Sequence, residues 1–400
     1  MTTLRDRPTP TTKDRAALAF ATMALFVAAA NLRPAIAAVS PLVDRIRLDL
    51  GLSSTGVALL TTVPTLAMGL CAPVAAAIGR RFGLQRGVLI GLVVVAIATA
   101  ARGFGTATWL QLSCAAVVGA GIAVAQTLLP AVVKSRFAER AGLVTGIYTA
   151  GLGLGGAVAA GSSAPLADAL DSWPGALASW AVLAVAGILL WSAARSALRL
   201  DDVSGPQGPA TKGLPLRSVT AWRITVLAAL NSALYYCELA WVAPLLHDAA
   251  GYREAYAGFL LTAMISIQVV AMLAVPALLG EHRDKRVGLA LTTVLTAVGF
   301  LGLALSPATA TWLWIVALGI GHGGLFTLVL TVPVSMSRDV AEAGRYSAMA
   351  FFVGYAAAAV APVLVGALRD ETGDFRLAFG LLGGATVLLL VPIAGMVRRD

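Results

Sequence analysis

Three ionisable side chains, Arg33, Glu238 and His322, lie in stretches of the sequence that are otherwise apolar. Arg33 stands in the NLRP motif at 31–34, inside an otherwise uncharged run over 16–43 that is long enough to span a bilayer. Its guanidinium stays protonated at any ordinary pH, and placing it at the centre of a membrane costs about 2.5–3.5 kcal/mol on insertion scales. We therefore expect Arg33 to face a polar cavity and to meet an anion there, either a carboxylate or a substrate.

Glu238 lies at a depth similar to that of Arg33, because it precedes Pro244 by six residues while Arg33 precedes Pro41 by eight. Three interpretations stay open. The two residues form a structural ion pair, or Glu238 carries a proton or contacts substrate beside Arg33, or both side chains snorkel to the membrane surface.

Proton coupling by Glu238 has a physical basis. A carboxylate beside an arginine stays charged, and it loses that partner when an anion occupies the arginine, so its affinity for a proton rises. His322 is the second predicted proton-coupling residue because histidine titrates near neutrality. The alternative for His322 is a hydrogen bond to a neighbouring helix.

Further polar and aromatic side chains fall near the middle of the predicted spans. Buried amides orient a polar ligand or bridge helices, and tyrosines line cavities or pack between helices. The predicted substrate-binding residues are Asn31, Arg33, Gln126, Tyr148, Asn231, Tyr235, Tyr236, Gln268, His322 and Tyr355.

The composition predicts a membrane protein. Of the 400 residues, 58% are apolar and 12% charged, and the mean hydropathy is +0.85, whereas soluble domains carry about 25% charged residues. The net charge of +9 does not indicate nucleic-acid binding, because the cationic residues gather in short loops between apolar segments. The spans contain no Ser/His/Asp set, no HExxH motif and no paired aspartates, so we expect neither an enzyme nor a bound cofactor or metal.

The hydropathy pattern predicts an all-α integral membrane protein with twelve transmembrane helices in two pseudo-symmetric six-helix bundles. We expect an N-terminal bundle over 1–197, a polar cytoplasmic linker over 198–220 and a C-terminal bundle over 221–400. The predicted spans are 16–39, 53–78, 87–104, 109–133, 141–165, 175–194, 221–246, 255–279, 287–305, 311–335, 345–367 and 377–397.

Charge asymmetry predicts the orientation in the membrane. Of the 29 Lys and Arg residues, 22 fall on the side of the two termini, six on the opposite side and Arg33 within a span. Both termini are therefore expected in the cytoplasm of a cell whose inner or plasma membrane holds the protein.

The halves also share weak sequence similarity. The segment at 39–42, VSPL, matches VAPL at 242–245, and ERAG at 139–142 matches AEAG at 341–344. Tandem six-span repeats are typical of transporters built from two rocking halves. The GLGLGG run at 151–156 fits a dinucleotide-binding pattern formally, but it lies inside a span, where close helix packing or a hinge is the expected role.

The loop GRRFGLQR at 79–86 resembles the loop motif of the major facilitator superfamily, a basic turn around a glycine. The acidic residue of that motif falls at Arg80 and is absent, and the superfamily's usual span-four arginine falls near Ala115 and is absent too. The alternative role for this loop is a topology signal. The residues assigned to gating loops are Arg80, Arg81, Gly83, Arg86, Arg283, Lys285 and Arg286.

Together with Ser40-Pro41-Leu42 and Arg81-Phe82-Gly83, the motif at 31–34 resembles one branch of that superfamily, the cyanate and nitroimidazole transporter (CynX/NimT) family. The resemblance implies a helix bundle with alternating access and a small solute. We expect a monomer in the lipid bilayer that moves a small polar, anionic solute with protons. The rival is a proton-driven efflux antiporter for a small heterocyclic drug; a receptor or scaffold would bind a ligand without moving it.

Overall fold

A computed structural model describes residues 12–52, 54–198, 213–279 and 285–395, which form helices, turns and short connections. The described helices in the first half are α1 (Thr12–Ala30), α2 (Pro34–Ala37), α3 (Val43–Leu50), α4 (Ser54–Ala101), α5 (Thr108–Arg136), α6 (Ala141–Leu170), α7 (Trp173–Ser179), α8 (Ala181–Ala193) and α9 (Arg195–Leu198). Those in the second half are α10 (Val219–Ala250), α11 (Glu254–Leu279), α12 (Lys285–Leu305), α13 (Thr311–Met336), α14 (Val340–Thr372), α15 (Arg376–Leu388) and α16 (Leu390–Ala394).

The predicted number of spans is confirmed in the described chain. Eleven helical runs are long and apolar enough to cross a membrane, and the run Leu59–Phe104 comprises two of the predicted spans. These two meet at Gly83, whose φ of 80° and ψ of 164° break α4. Glycine occupies this left-handed region without the steric cost that a Cβ imposes. Most of the predicted linker, residues 199–212, lies outside the described residues.

Of three apolar clusters among the described residues, the two larger ones correspond to the two bundles, and the third, smaller one lies within the first half. One core draws only on residues of the second half, and the other draws mainly on the first half. The latter also includes Phe326 and Tyr355 of the second half, because the bundles touch there. The architecture is therefore the predicted pair of six-helix bundles.

The bundles are in contact at the centre and towards one end, which we call the basic end because Arg80, Arg81 and Lys134 lie there. A hydrogen bond joins Lys134 Nζ to the carbonyl oxygen of Ser337 at 3.1 Å. Nearer the centre, Thr149 Oγ1 of α6 lies 2.9 Å from Thr327 Oγ1 of α13. These contacts close the basic end.

Helices α6 and α11 pack more closely near the basic end than further along their length. Near the basic end, a Cβ on Gly146 of α6 would meet the Met272 carbonyl of α11 at 2.6 Å. Further along the facing stripes, Ala160 of α6 is exposed and Gly258 of α11 has open space within 4 Å.

The first span is broken at its centre instead of running unbroken over 16–39 as predicted. Pro34 has no backbone N–H, and proline disfavours helical geometry in the residue before it. Arg33 lies between the end of α1 and the start of α2 and, with φ −107° and ψ −31°, stays in the right-handed helical region, so the missing N–H of Pro34 is the main cause of the break. Because α2 ends at Ala37, the N–H of Val39 bonds Ile36 and not Ala35, and the Ala35 carbonyl accepts a hydrogen bond from Arg102 Nη1 at 2.7 Å. Arg102, expected at the membrane surface, is therefore almost fully buried.

The glycine run of α6 packs against this broken span. A Cβ on Gly155 would lie 2.0 Å from the carbonyl oxygen of Ala30, and one on Gly151 would lie 2.6 Å from that of Phe26. No side chain larger than hydrogen fits at these positions without moving the backbone. The run at 151–156 thus serves close helix packing, which small residues permit in membrane proteins.

Candidate functional site

A small cavity lies between the bundles, beside the break in the first span. The cavity volume that the centre of a water molecule can occupy is about 30 Å³. Helices α5, α10, α13 and α14 form its walls together with the broken segment. The lining residues that can make polar or aromatic contacts are Arg33, Gln126, Asn231, Ser232, Tyr235, Tyr236, Phe326, Ser347, Phe351 and Tyr355.

Arg33 is the cation of this cavity. The break places its half-buried side chain on the cavity wall, and Nη1 lies 3.2 Å from the hydroxyl oxygen of Tyr236. This bond joins the first bundle to the second. Arg33 forms no ion pair within the part of the chain that the structure describes. The cavity therefore presents a guanidinium whose charge no carboxylate neutralises.

Aromatic rings supply much of the remaining wall. Tyr235 and Tyr236 meet edge to face with centroids 5.6 Å apart, and Tyr235 lies 5.7 Å from Phe326. On the other wall Phe351 and Tyr355 stack at 5.7 Å and 17°. The site combines one positive charge with flat, polarisable surfaces, which suits a small conjugated or planar solute.

Glu238 lies inside the second bundle and is fully buried. Its Oε1 is 2.5 Å from Nδ1 of His322, and its Oε2 accepts a hydrogen bond from Nε2 of Gln268 at 2.8 Å. Three helices, α10, α11 and α13, supply the three members. Nε2 of His322 has no hydrogen-bond partner among the described residues, and the ring meets Tyr235 edge to face at 5.9 Å. Tyr235 separates this cluster from the cavity.

This arrangement narrows the three interpretations of Arg33 and Glu238. They form no ion pair in this conformation, because Glu238 is bonded to His322 and Gln268 while Arg33 is bonded to Tyr236. Glu238 does not reach a surface either, since it is fully buried. Direct competition between Glu238 and an anion for Arg33, the mechanism inferred from the sequence, does not match these contacts. Tyr235 provides a contact between the two sites, because its ring lines the cavity and meets the His322 ring.

The predicted binding residues divide into two groups. Arg33, Gln126, Asn231, Tyr235, Tyr236 and Tyr355 line the cavity, whereas Asn31, Tyr148, Gln268 and His322 lie away from it. Asn31 donates to the carbonyl of Val27 at 2.8 Å and packs against Gly187. Tyr148 is fully buried in the core of the first bundle.

Among the polar and aromatic lining residues, sequence reasoning missed four, Ser232, Phe326, Ser347 and Phe351. Ser232 had a recoverable signal, because it precedes Tyr235 and Tyr236 by three and four residues and so shares their helix face. Serines and phenylalanines elsewhere in the spans have the same local pattern, so the other three carried no distinguishing signal.

The predicted gating residues lie at the basic end. Arg80, Arg81 and Arg86 are exposed, and the Arg81 guanidinium sits 5.3 Å from the centre of the Phe82 ring. Lys285 and Arg286 begin α12, whereas Arg283 lies outside the described residues. Nothing in these positions tests gating, which stays a prediction.

Comparison with known proteins identifies the class. The family model of the Major Facilitator Superfamily matches residues 18–362. The fold is similar to that of the human organic anion transporter TETRAN, at 13% identity and a TM-score of 0.77, covering 96% of this chain and 100% of that one. It is equally similar to the proton:xylose symporter XylE, at 12% identity and a TM-score of 0.77, covering 96% and 97%. The chain is a multi-pass membrane transporter of this superfamily.

Relatives of greater sequence similarity define the branch. The 2-nitroimidazole transporter of Escherichia coli (strain K12) is 32% identical over 372 residues, covering 93% of each chain. The cyanate transport protein CynX of the same strain is 32% identical over 348 residues, covering 86% of this chain and 88% of the relative. The uncharacterized transporter YycB of Bacillus subtilis (strain 168) is 30% identical over 361 residues, covering 90% and 89%. The chain belongs to the cyanate and nitroimidazole transporter family.

Proposed function

We propose that the protein is a secondary active transporter that moves a small polar anion, of the size and charge of cyanate, by alternating access. The observation that carries the proposal is Arg33, a guanidinium on the wall of a central cavity without a carboxylate partner in the described chain. An unneutralised charge at mid-membrane is costly, and a substrate anion offsets that cost on binding.

The size of the cavity supports a small solute. A water molecule needs about 10–15 Å³ of such space, so the 30 Å³ beside Arg33 suits an anion of a few heavy atoms. The relative named as a cyanate transport protein agrees with this size.

Proton coupling rests on Glu238 and His322. Nδ1 of His322 lies 2.5 Å from Oε1 of Glu238, so a hydrogen bond links the two side chains inside the second bundle. Glu238 and Tyr235 lie one turn apart on α10, and Tyr235 contacts both the cavity and His322. An anion that moves Tyr236 or Tyr235 therefore alters the surroundings of the pair. Linkage then runs through the tyrosines and not through a contact with Arg33.

The moving units in this proposal are the bundles over 1–197 and 221–400, connected by the linker over 198–220. The charge asymmetry supports a cytoplasmic location for both termini and for the basic end. The basic loops around Arg80–Arg86 and Arg283–Arg286 would then gate the cytoplasmic side. The protein acts as a monomer in the inner or plasma membrane.

Transport by purified protein in lipid vesicles tests the proposal. We expect labelled cyanate to accumulate in vesicles under an inward proton gradient, and the Arg33→Gln variant to lose accumulation and exchange alike. Glu238→Gln should retain exchange of labelled for unlabelled cyanate but lose accumulation. If Glu238→Gln accumulates cyanate as well as wild type, proton coupling through Glu238 is wrong.

A second candidate is proton-driven efflux of a small heterocycle. It is favoured by the rings of Tyr235, Tyr236, Phe326, Phe351 and Tyr355 around the cavity and by the relative named as a 2-nitroimidazole transporter. Intact cells separate the two functions. An importer raises cellular cyanate when the protein is produced, whereas an exporter lowers cellular 2-nitroimidazole.

A further inference from the structure

Arg102 is a buried cation outside the central cavity. It begins the 3₁₀ turn Arg102–Phe104 after α4, is 1% exposed, and pairs with no carboxylate of the described chain. Nη1 donates to the carbonyl oxygen of Ala35 at 2.7 Å, while Nε and Nη2 have no hydrogen-bond partner among the described residues. A buried, unpaired charge opposes folding. Stability alone therefore does not account for an arginine at this position.

The acceptor of this hydrogen bond lies in the short helix α2, next to Arg33. Ala35 is buried, and no backbone N–H of the described chain bonds its carbonyl oxygen. The carbonyl oxygen of Arg33 accepts a hydrogen bond from the N–H of Ala37 at 2.9 Å, so Arg33 and α2 belong to one hydrogen-bonded turn. Arg102 thus holds the segment that carries the cation of the cavity.

The backbone of Arg102 is itself fixed by α5. Gln111 of this helix is almost fully buried, and its Nε2 donates to the carbonyl oxygens of Arg102 and Gly105, each at 2.8 Å. Arg102 is therefore bound through its main chain to α5, which also lines the cavity, and through its side chain to α2. The two bonds connect the broken span to an unbroken cavity helix.

The second half keeps the main-chain bond but not the arginine. When VAPL at 242–245 is aligned with VSPL, Trp314 takes the place of Gln111, and its Nε1 donates to the Ser306 carbonyl at 3.0 Å. Leu305, which is exposed, takes the place of the arginine. The segment that corresponds to α2 lies inside the unbroken helix α10. The buried guanidinium thus accompanies the broken span.

We propose that Arg102 is a positioning residue for the anion site, because its hold on α2 fixes Arg33 on the cavity wall. This inference rests on the proposed anion transport and adds to it a residue that does not line the cavity. Removal of the Arg102 side chain should lower the affinity for an anion by displacing Arg33 and not by removing a contact with the ligand.

Arg102→Met and Arg102→Lys test this role in the purified full-length protein. Methionine has no donor for the Ala35 carbonyl, whereas lysine keeps a donor and the charge. The Kd of cyanate is measured by calorimetry, and hydrogen–deuterium exchange of the backbone amides over 31–42 is measured without ligand. For Arg102→Met we expect faster exchange over 31–42 and cyanate binding about threefold to tenfold weaker, as one lost hydrogen bond predicts. Arg102→Lys should recover most of both.

Two controls separate positioning from general loosening and from ligand contact. Trp314→Phe removes the corresponding bond to Ser306 in the second bundle and should leave both measurements unchanged. Arg33→Gln should abolish cyanate binding and leave the exchange over 31–42 slow, because the bond from Arg102 remains. Melting temperatures verify that each variant is folded. If Arg102→Met does not fold, Gln111→Met, which releases the Arg102 main chain, should change both measurements in the same direction.

The possible results separate this inference from the proposal beneath it. Faster exchange and weaker cyanate binding in Arg102→Met, both recovered in Arg102→Lys, support the inference. Unchanged exchange over 31–42, or faster exchange with an unchanged Kd, overturns it, because Arg102 then does not position Arg33. If wild type does not bind cyanate, the proposed transport of such an anion is overturned, while faster exchange in Arg102→Met still supports the hold of Arg102 on α2.

Discussion

Each bundle carries one charged side chain at a similar depth, but the two side chains differ in burial and in their hydrogen-bond partners. In the first bundle Arg33 faces the cavity, half-buried, with a tyrosine hydroxyl as its partner. In the second bundle Glu238 faces inward, fully buried, with His322 and Gln268 as partners. The first bundle thus presents a fixed charge to a ligand, and the second keeps a titratable pair away from it.

Local backbone structure explains the difference. Pro34 breaks the first span next to Arg33, so this side chain projects from an irregular segment. In α10 the proline at 244 lies beyond Glu238, and the helix runs unbroken from Val219 to Ala250. A carboxylate on such a helix can be satisfied only by neighbouring helices of its own bundle. Arg33 therefore faces the cavity from a broken span, whereas Glu238 is fully buried on an unbroken helix.

The sharpest test of this comparison is the stability cost of removing each charge. Glu238→Leu leaves His322 and Gln268 without an acceptor and should destabilise the protein by about 3 kcal/mol. Arg33→Gln should cost less than about 1 kcal/mol, because no described carboxylate loses a partner. Melting temperatures measure both. The control Glu238→Gln retains an acceptor and should lie between them, and equal costs for Glu238→Leu and Arg33→Gln would contradict the comparison.

Glycine packing next to the broken span should be sensitive to an added methyl group. Gly155→Ala places a Cβ 2.0 Å from the Ala30 carbonyl and should cost about 1–3 kcal/mol through forced backbone shifts. Gly354→Ala on α14 meets the Ser232 hydroxyl at 3.3 Å and the Ala228 carbonyl oxygen at an ordinary contact distance of 3.7 Å, and Gly161→Ala meets open space. Both controls should melt within a few degrees of wild type. A Gly155→Ala protein as stable as Gly161→Ala would refute the close approach.

The bond between Arg33 and Tyr236 should contribute a smaller effect. Tyr236→Phe removes the hydroxyl that orients the guanidinium and should weaken anion binding about three- to tenfold, as one lost hydrogen bond predicts. Isothermal titration with cyanate measures the change. Tyr256→Phe is the control, because the Tyr256 hydroxyl bonds Trp312 far from the cavity. Unchanged affinity in Tyr236→Phe would show that this bond does not orient Arg33 for binding.

The smallest effects belong to two exposed ion pairs at the end opposite the basic end. Arg45 pairs with Asp168 at 2.7 Å in the first bundle, and Asp248 pairs with Arg369 at 3.1 Å in the second. Exposed pairs contribute about 0–1 kcal/mol. Asp168→Asn and Asp248→Asn should each lower the free energy of unfolding by no more than this amount. A fall in melting temperature that corresponds to a larger loss would show that these pairs contribute substantially to the stability of the bundles.

The sequence alone predicted what depends on local pattern. Hydropathy located the twelve spans, and the cost of a charge in lipid singled out Arg33 and Glu238. The partners of Glu238 could not be predicted, because Gln268 and His322 lie on other helices, and only their packing makes them neighbours. The burial of Arg102 could not be predicted either, since it depends on the Ala35 carbonyl, which is available only because the short helix α2 ends at Ala37.

The central claim is that Arg33 binds the substrate anion. Its most direct test is the melting temperature of purified wild type, Arg33→Gln and Arg45→Gln with cyanate, bicarbonate, nitrate and 2-nitroimidazole. A ligand that binds only the folded protein stabilises it by about 2.7 kcal/mol at 100 times its Kd. We predict that at least one small anion raises the melting temperature of wild type and Arg45→Gln but not that of Arg33→Gln. An equal rise in Arg33→Gln, or a rise with the neutral heterocycle alone, would contradict the claim.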